Sequence, residues 1–343
     1  MRSLKADFTG YFLGKTMNKK MGRKLPTNSY QSEAPSEVKA WGDGHIKIND
    51  IAYGTTYPNS YLDLYLPSKT DIKEKHDKKH PILIYAHGGG FIFCGKSFGD
   101  AIVHMDEVGK NENSKKGVSG IFQDFLNEGI AVASLEYAMA PKYRFPIPVI
   151  QMNEAIAYLK EHAVDYNLDM DQIILMGGSA GADMVELYAT VVSVPEYAKK
   201  LGIEKVALNF SQVSCAVVDE SALINYAETG NNLLLMQLWL GECDVVNTEI
   251  ARLSYVPDHI EDKYPPCFIN SCNAEQWFYD STYALYEKLC RIGSDVEFYY
   301  PPIEKCVCNH GYMMDYATNE ISKECYDKMM CFVKQHIHIK AEK

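Results

Sequence analysis

The chain has 343 residues, 47% of them hydrophobic and 23% charged, the balance of a folded protein with a full core. Its net charge of −11 argues against a nucleic-acid partner, because neutralising phosphates needs clustered Lys and Arg. The apolar runs "VALNF" at Val206 and "LLLMQLWL" at Leu233 fall well short of the roughly 20 residues of a membrane span.

The first 24 residues hold seven Lys or Arg against one acid, Asp7, with aromatics scattered among them. The segment reads as a surface helix packed on the domain, while its basic, aromatic-dotted character also suits a membrane surface. It lacks the continuous apolar stretch of a secretory signal. The ten cysteines follow no regular framework, so reduced thiols and a cytoplasmic setting are expected. Residues 26–37 are polar and read as a linker.

From His45 onward strand and helix patterns alternate. "HIKINDIAY" and "YLDLYLP" show period-two alternation and predict an opening β-hairpin, followed by a charged loop over 69–80. Continuous apolar runs predict buried strands at "PILIYA" (81–86), "IAVASLEY" (130–137), "QIILM" (172–176), "KVALNF" (205–210), "CFINS" (267–271) and "VEFYY" (296–300). Helical spacing predicts helices over 149–162, 180–194, 281–291 and 322–336, and residues 219–263 read as inserted helices near a site. Strands alternating with helices after a hairpin give an α/β fold, with a mostly parallel sheet of about eight strands.

Two glycine-rich loops follow predicted strands. "GGSAG" sets Gly177, Ser179 and Gly181 in the G-x-S-x-G spacing, after one strand and before a helix. Neither a dinucleotide loop nor a P-loop has that spacing, whereas a nucleophile elbow requires it. "HGGG" at His87–Gly90 follows the strand at 81–86, and such a loop can turn N–H groups toward a developing oxyanion. Gly89, Gly90 and Ala180, the residue after the serine, are therefore the candidate oxyanion donors. "CVCNH" at Cys306–His310 invites a metal reading, but no second ligand pair accompanies it, so it reads as a loop.

The order "HGGG", "EYAMAPKYRFP", "GGSAG" resembles the hormone-sensitive-lipase-like esterases of the α/β-hydrolase fold, with Tyr137, Ala140, Pro141 and Pro146 at matching places. The resemblance extends from about residue 61, where "LDLYLP" also matches, to about residue 312, and is weakest over 219–263. It implies a base in the late "HGY", hence His310. It implies that residues 1–44 form a cap and linker on a catalytic domain over 45–343. The family's acid follows the strand at 267–271, and counting back from "EKLCRIG" sets Gln276 at that position. Glutamine is neutral and cannot stabilise an imidazolium. The adjacent Glu275 is therefore the expected acid, with Asp280 read as an N-cap of the helix that follows it. Gly178 stands where many relatives have an aspartate.

The sequence thus predicts a serine carboxylesterase acting on short, acetyl-type esters without cofactor or metal, through Ser179, His310 and Glu275. An arylformamidase-like amidase would use the same loop and triad. A hydrolase-fold binding protein would follow if no carboxylate served His310.

Overall fold

A computed structural model of the chain describes residues 2–33, 36–41, 44–67, 79–96, 120–222 and 230–338. Among these, nine strands form one sheet: β1 (Val38–Trp41), β2 (His45–Ala52), β3 (Tyr61–Leu66), β4 (His80–Ala86), β5 (Ala131–Leu135), β6 (Leu168–Gly178), β7 (Val213–Asp219), β8 (Cys267–Asn270) and β9 (Val296–Tyr299). Their order is β1-β2-β3-β5-β4-β6-β7-β8-β9. The pairs β1–β2, β2–β3 and β3–β5 are antiparallel, and every pair from β5 to β9 is parallel.

Alternation along the central strands builds two cores. Ile82 and Ile84 of β4 and Ile173 and Leu175 of β6 face one layer, where helices α3 (Ile147–Glu161) and α4 (Ala180–Ser193) pack. Leu83 and Tyr85, with Ile174 and Met176, face the other, which holds α2 (Gly120–Asn127) and the last helix, Glu320–His336. Burial on both faces is why these strands read as unbroken apolar runs.

The order continues with α5 (Pro195–Lys200), α6 (Gly230–Leu240), α7 (Glu249–Ser254), α8 (Gln276–Ile292) and α9 (Glu320–His336). The short helices α6 and α7 fall in the expected insertion. The charged loop read over 69–80 lies mostly outside the described residues.

Three sequence expectations are corrected. "KVALNF" is not a strand. Its backbone is held by side chains of α3 instead of by the sheet: Asn153 Nδ2 donates to Lys205 O at 3.0 Å, Asn153 Oδ1 accepts from Ala207 N at 2.8 Å, and Lys160 Nζ donates to Ala207 O at 3.0 Å. The strand proper is β7, eight residues later, so its C-terminal end falls at Asp219. Residues 38–41 were not read as a strand, yet they pair with β2 at the sheet edge. Finally, α8 begins at Gln276, so Asp280 lies inside the helix, where it accepts from Gln276 Nε2 at 2.8 Å, and is not an N-cap.

The N-terminal helix α1 (Leu4–Lys20) rests on α6 and on the loop after β4. A side chain at Gly10 would collide with Leu238, and one at Gly14 with the Ile92 carbonyl. Arg23, just beyond the helix, donates to Cys94 O at 3.2 Å and to Glu136 Oε1 at 2.9 Å, anchoring the segment under the same loop.

Candidate active site

β6 ends at Gly178 and α4 begins at Ala180, which leaves Ser179 as the single turning residue, with φ 56° and ψ −125°. A non-glycine residue in that region is strained by about 1–3 kcal/mol, and such strain persists only where surrounding contacts enforce it. Here they do. Ser179 N donates to Asp219 O at 2.8 Å, and a Cβ on Gly181 would strike the Ala86 carbonyl, so α4 can start against β4 only with glycine there.

The glycine loop passes directly over this turn. A Cβ on Gly88 would lie 3.2 Å from Ser179 Cβ. Gly89 has φ 102°, closed to ordinary side chains, and its carbonyl accepts from Ile92 N and Phe93 N at 3.1 and 3.2 Å. Those bonds use the Gly89 carbonyl and leave the loop's amides for other work. Among the described residues, no protein acceptor takes the N–H of Gly89, Gly90 or Ala180. His87 anchors the loop: it is fully buried, stacks on Tyr137 at 4.2 Å, and its carbonyl accepts from Tyr137 Oη at 2.6 Å. Behind it, burial raises and Arg23 and His87 lower the Glu136 carboxyl, which ends at about 2. Leu235 of α6 lies over Gly90, 3.0 Å from where a Cβ would be.

His310 sits in the loop after β9, about a third exposed, with its ring stacked on Phe278 at 4.1 Å. Its Nδ1 forms an ion pair with Glu220 Oε2. The same oxygen accepts from Gly311 N at 2.6 Å. Glu220 is the residue directly after β7, with φ 59° and a side chain 1% exposed. Burial works against a charged His310 ring, but the hydrogen bond and charge of Glu220, with Asp219 and Glu275 adding to them, hold its pKa above the ordinary value. Asp219 accepts from Asn270 Nδ2 at 2.6 Å, and burial together with the charge of Glu220 pushes its carboxyl up to about 8.

Glu275, the expected acid, is not the partner of His310. It stands at the N-cap of α8, and its Oε2 accepts from Trp277 Nε1 at 3.2 Å. Its loop serves His310 in another way. Asn273 Oδ1 accepts from Cys308 N at 2.7 Å, while Nδ2 donates to Pro301 O at 3.0 Å and Cys306 O at 2.8 Å, clamping the histidine loop. Sequence reading missed both Glu220 and Asn273. The available signal for Glu220 was "AVVDE", an apolar run ended by two acids at the end of the strand that pairs with the one leading to Ser179.

Glu220, Cys272 and His310 each bring one ligand atom within 4.8 Å of the others, a set a metal ion could share. Two of its three members are already committed to each other as an ion pair. Cys306 and Cys308, from the motif that invited a metal reading, are not in it. A cavity of about 120 Å³, lined by Arg23, Glu33, Asp50, Lys96 and Glu136 among others, includes neither Ser179 nor His310.

A profile of the BD-FAE family matches residues 62–289. An esterase of Gibberella moniliformis is 24% identical over 240 residues, 66% of each chain. An acetyl esterase of Salmonella schwarzengrund is 27% identical over 158 residues, 46% of this chain and 38% of that one. The chain spans between about a third and two thirds of the length of such curated relatives. Esterase B from Lactobacillus rhamnosis superposes with a TM-score of 0.68 over 96% of this chain and 95% of that one, at 14% identity. The α/β-hydrolase fold and the likeness to hormone-sensitive-lipase-like esterases are thereby borne out.

Proposed function

We propose that this chain, which belongs to the BD-FAE family of α/β-hydrolases, is a carboxylic ester hydrolase that removes short, acetyl-type acyl groups through Ser179, His310 and Glu220. Ser179 Oγ attacks the ester carbonyl carbon while its proton passes to His310 Nε2. Glu220, at Nδ1, fixes the tautomer and balances the imidazolium. The carbonyl oxygen gains the negative charge and takes the N–H groups of Gly89, Gly90 and Ala180. The imidazolium then protonates the departing alcohol as the C–O bond breaks. Water repeats the cycle in reverse on the acyl-enzyme and frees Ser179.

The pairing of a buried Glu220 with a partly exposed His310 carries this reading. Burying a carboxylate costs several kcal/mol unless it is paired, and this one is spent on a loop histidine, not on the core. The case for a non-catalytic protein rested on the neutral Gln276, and it lapses when Glu220 supplies the charge. Leu235 above Gly90 and the acetyl esterase relative support a small acyl group.

The test is a fluorophosphonate probe. It is expected to label Ser179 alone, and Ser179→Ala to lose both labelling and turnover of p-nitrophenyl acetate. Labelling at another serine, or faster turnover of palmitoyl than of acetyl esters, contradicts the proposal.

A further inference from the structure

Helix α1 is built inside out. Its buried residues are small or polar, Ala6, Asp7, Gly10, Gly14 and Asn18. Its large apolar residues face outward, with Leu4 76%, Phe8 68%, Tyr11 56% and Phe12 50% exposed. At helical spacing these four fall on one side, and the exposed Lys5, Lys15 and Lys19 share the same arc of about 120°. Core helices bury such rings, so an outward patch of this kind marks a surface that meets something else.

Charge indicates what it meets. The first 24 residues carry seven Lys or Arg in a chain whose net charge is −11. The one acid among them, Asp7, is turned inward and paired with Arg144 and Arg2, so it does not neutralise the outer face. A cationic, aromatic strip on an anionic body suits an anionic bilayer. There the rings enter the headgroup boundary and the ammonium groups meet phosphates, while the body is held off by repulsion. A two-fold pairing of α1 with a second copy would set lysine against lysine. No helix among the described residues is long and apolar enough to cross a membrane, so α1 would lie on the surface.

We propose that α1 docks the protein on anionic phospholipid surfaces through Leu4, Phe8, Tyr11 and Phe12, with Lys5, Lys15 and Lys19 supplying the charge selectivity. Because the inward face of α1 rests on α6, whose Leu235 covers Gly90, the docking helix packs on the roof of the candidate site with its docked face turned away from it. The inference does not depend on the esterase reading, since binding is measured directly.

The full chain is incubated with extruded vesicles of phosphatidylcholine alone, or with a third of the lipid replaced by phosphatidylglycerol, and sedimented. It is expected to pellet with the anionic vesicles only, and less so as salt rises. Phe8→Ser with Phe12→Ser should lower partitioning at least about 10-fold, and Lys15→Glu with Lys19→Glu should remove the preference for anionic lipid. Both variants should keep the wild-type melting temperature and the wild-type rate on a soluble acetyl ester. The proposal is overturned if the wild type ignores both vesicle types or binds them equally. It is equally overturned if the variants bind like the wild type, or if the wild type self-associates without lipid and Phe8→Ser/Phe12→Ser abolishes that.

Discussion

The loop after β7 and the loop after β8 leave adjacent, hydrogen-bonded strands at the same edge of the sheet, and each carries a glutamate. Glu220 follows β7 at once. Its backbone N–H donates to Asn270 O at 3.0 Å, its φ of 59° turns the chain sharply, and its buried carboxylate meets both His310 Nδ1 and Gly311 N. Glu275 comes five residues after β8, at a helix start, and holds the Trp277 indole. That indole stacks on Phe278 at 3.9 Å, and Phe278 stacks on His310 at 4.1 Å. One glutamate touches the imidazole, and the other acts on it through two rings. A carboxylate near a histidine is therefore not enough to name its partner; the desolvated, hydrogen-bonded one is the one that stabilises the charged ring.

This contrast sets the size of each expected effect. Glu220→Gln removes the charge at Nδ1 and should lower kcat by about 10³–10⁴-fold with KM little changed, as for triad acids in general. Steady-state kinetics on p-nitrophenyl acetate measures it, and a loss under about 10-fold would deny Glu220 the role. Asn273→Ala should come next. It strips three hydrogen bonds from the histidine loop, costing about 1–3 kcal/mol, and should lower both the melting temperature and kcat, the latter about 10-fold. A variant with the wild-type kcat would mean that the loop needs no clamp. Glu275→Gln should do least. The amide oxygen can still accept from Trp277, so kcat should stay within about twofold of wild type. A collapse in that variant would return the acid to the loop after β8.

What could be read from sequence divides along the same line. Ser179, His87–Gly90 and His310 lie in short motifs whose geometry is local, so spacing and strand context suffice to find them. Glu220 depends on where β7 ends. The apolar run "KVALNF" reads as a buried strand, but its backbone is satisfied by Asn153 and Lys160 of α3 rather than by a neighbouring strand. Ending the strand nine residues too early left Asp219 and Glu220 at the head of an insertion instead of at a strand end beside Ser179. The outward rings of α1 were in the sequence as well. Which side of that helix faces solvent depends on Gly10 and Gly14 meeting Leu238 and Ile92, contacts that no periodicity reveals.

The most direct test of Glu220 as the partner of His310 is the titration of the His310 ring by NMR in protein with ¹⁵N-labelled histidine, its signals identified by their loss in His310→Asn. In the wild type the ring should titrate above the ordinary histidine value, since Glu220 outweighs the burial that would lower it. The neutral, base-competent ring is then lost as pH falls through that raised pKa. Glu220→Gln leaves burial less opposed and should bring the pKa down by more than any other single substitution around the ring. Glu275→Gln should lower it by a small fraction of that. If Glu275→Gln produces the large fall and Glu220→Gln the small one, the assignment of Glu220 is wrong.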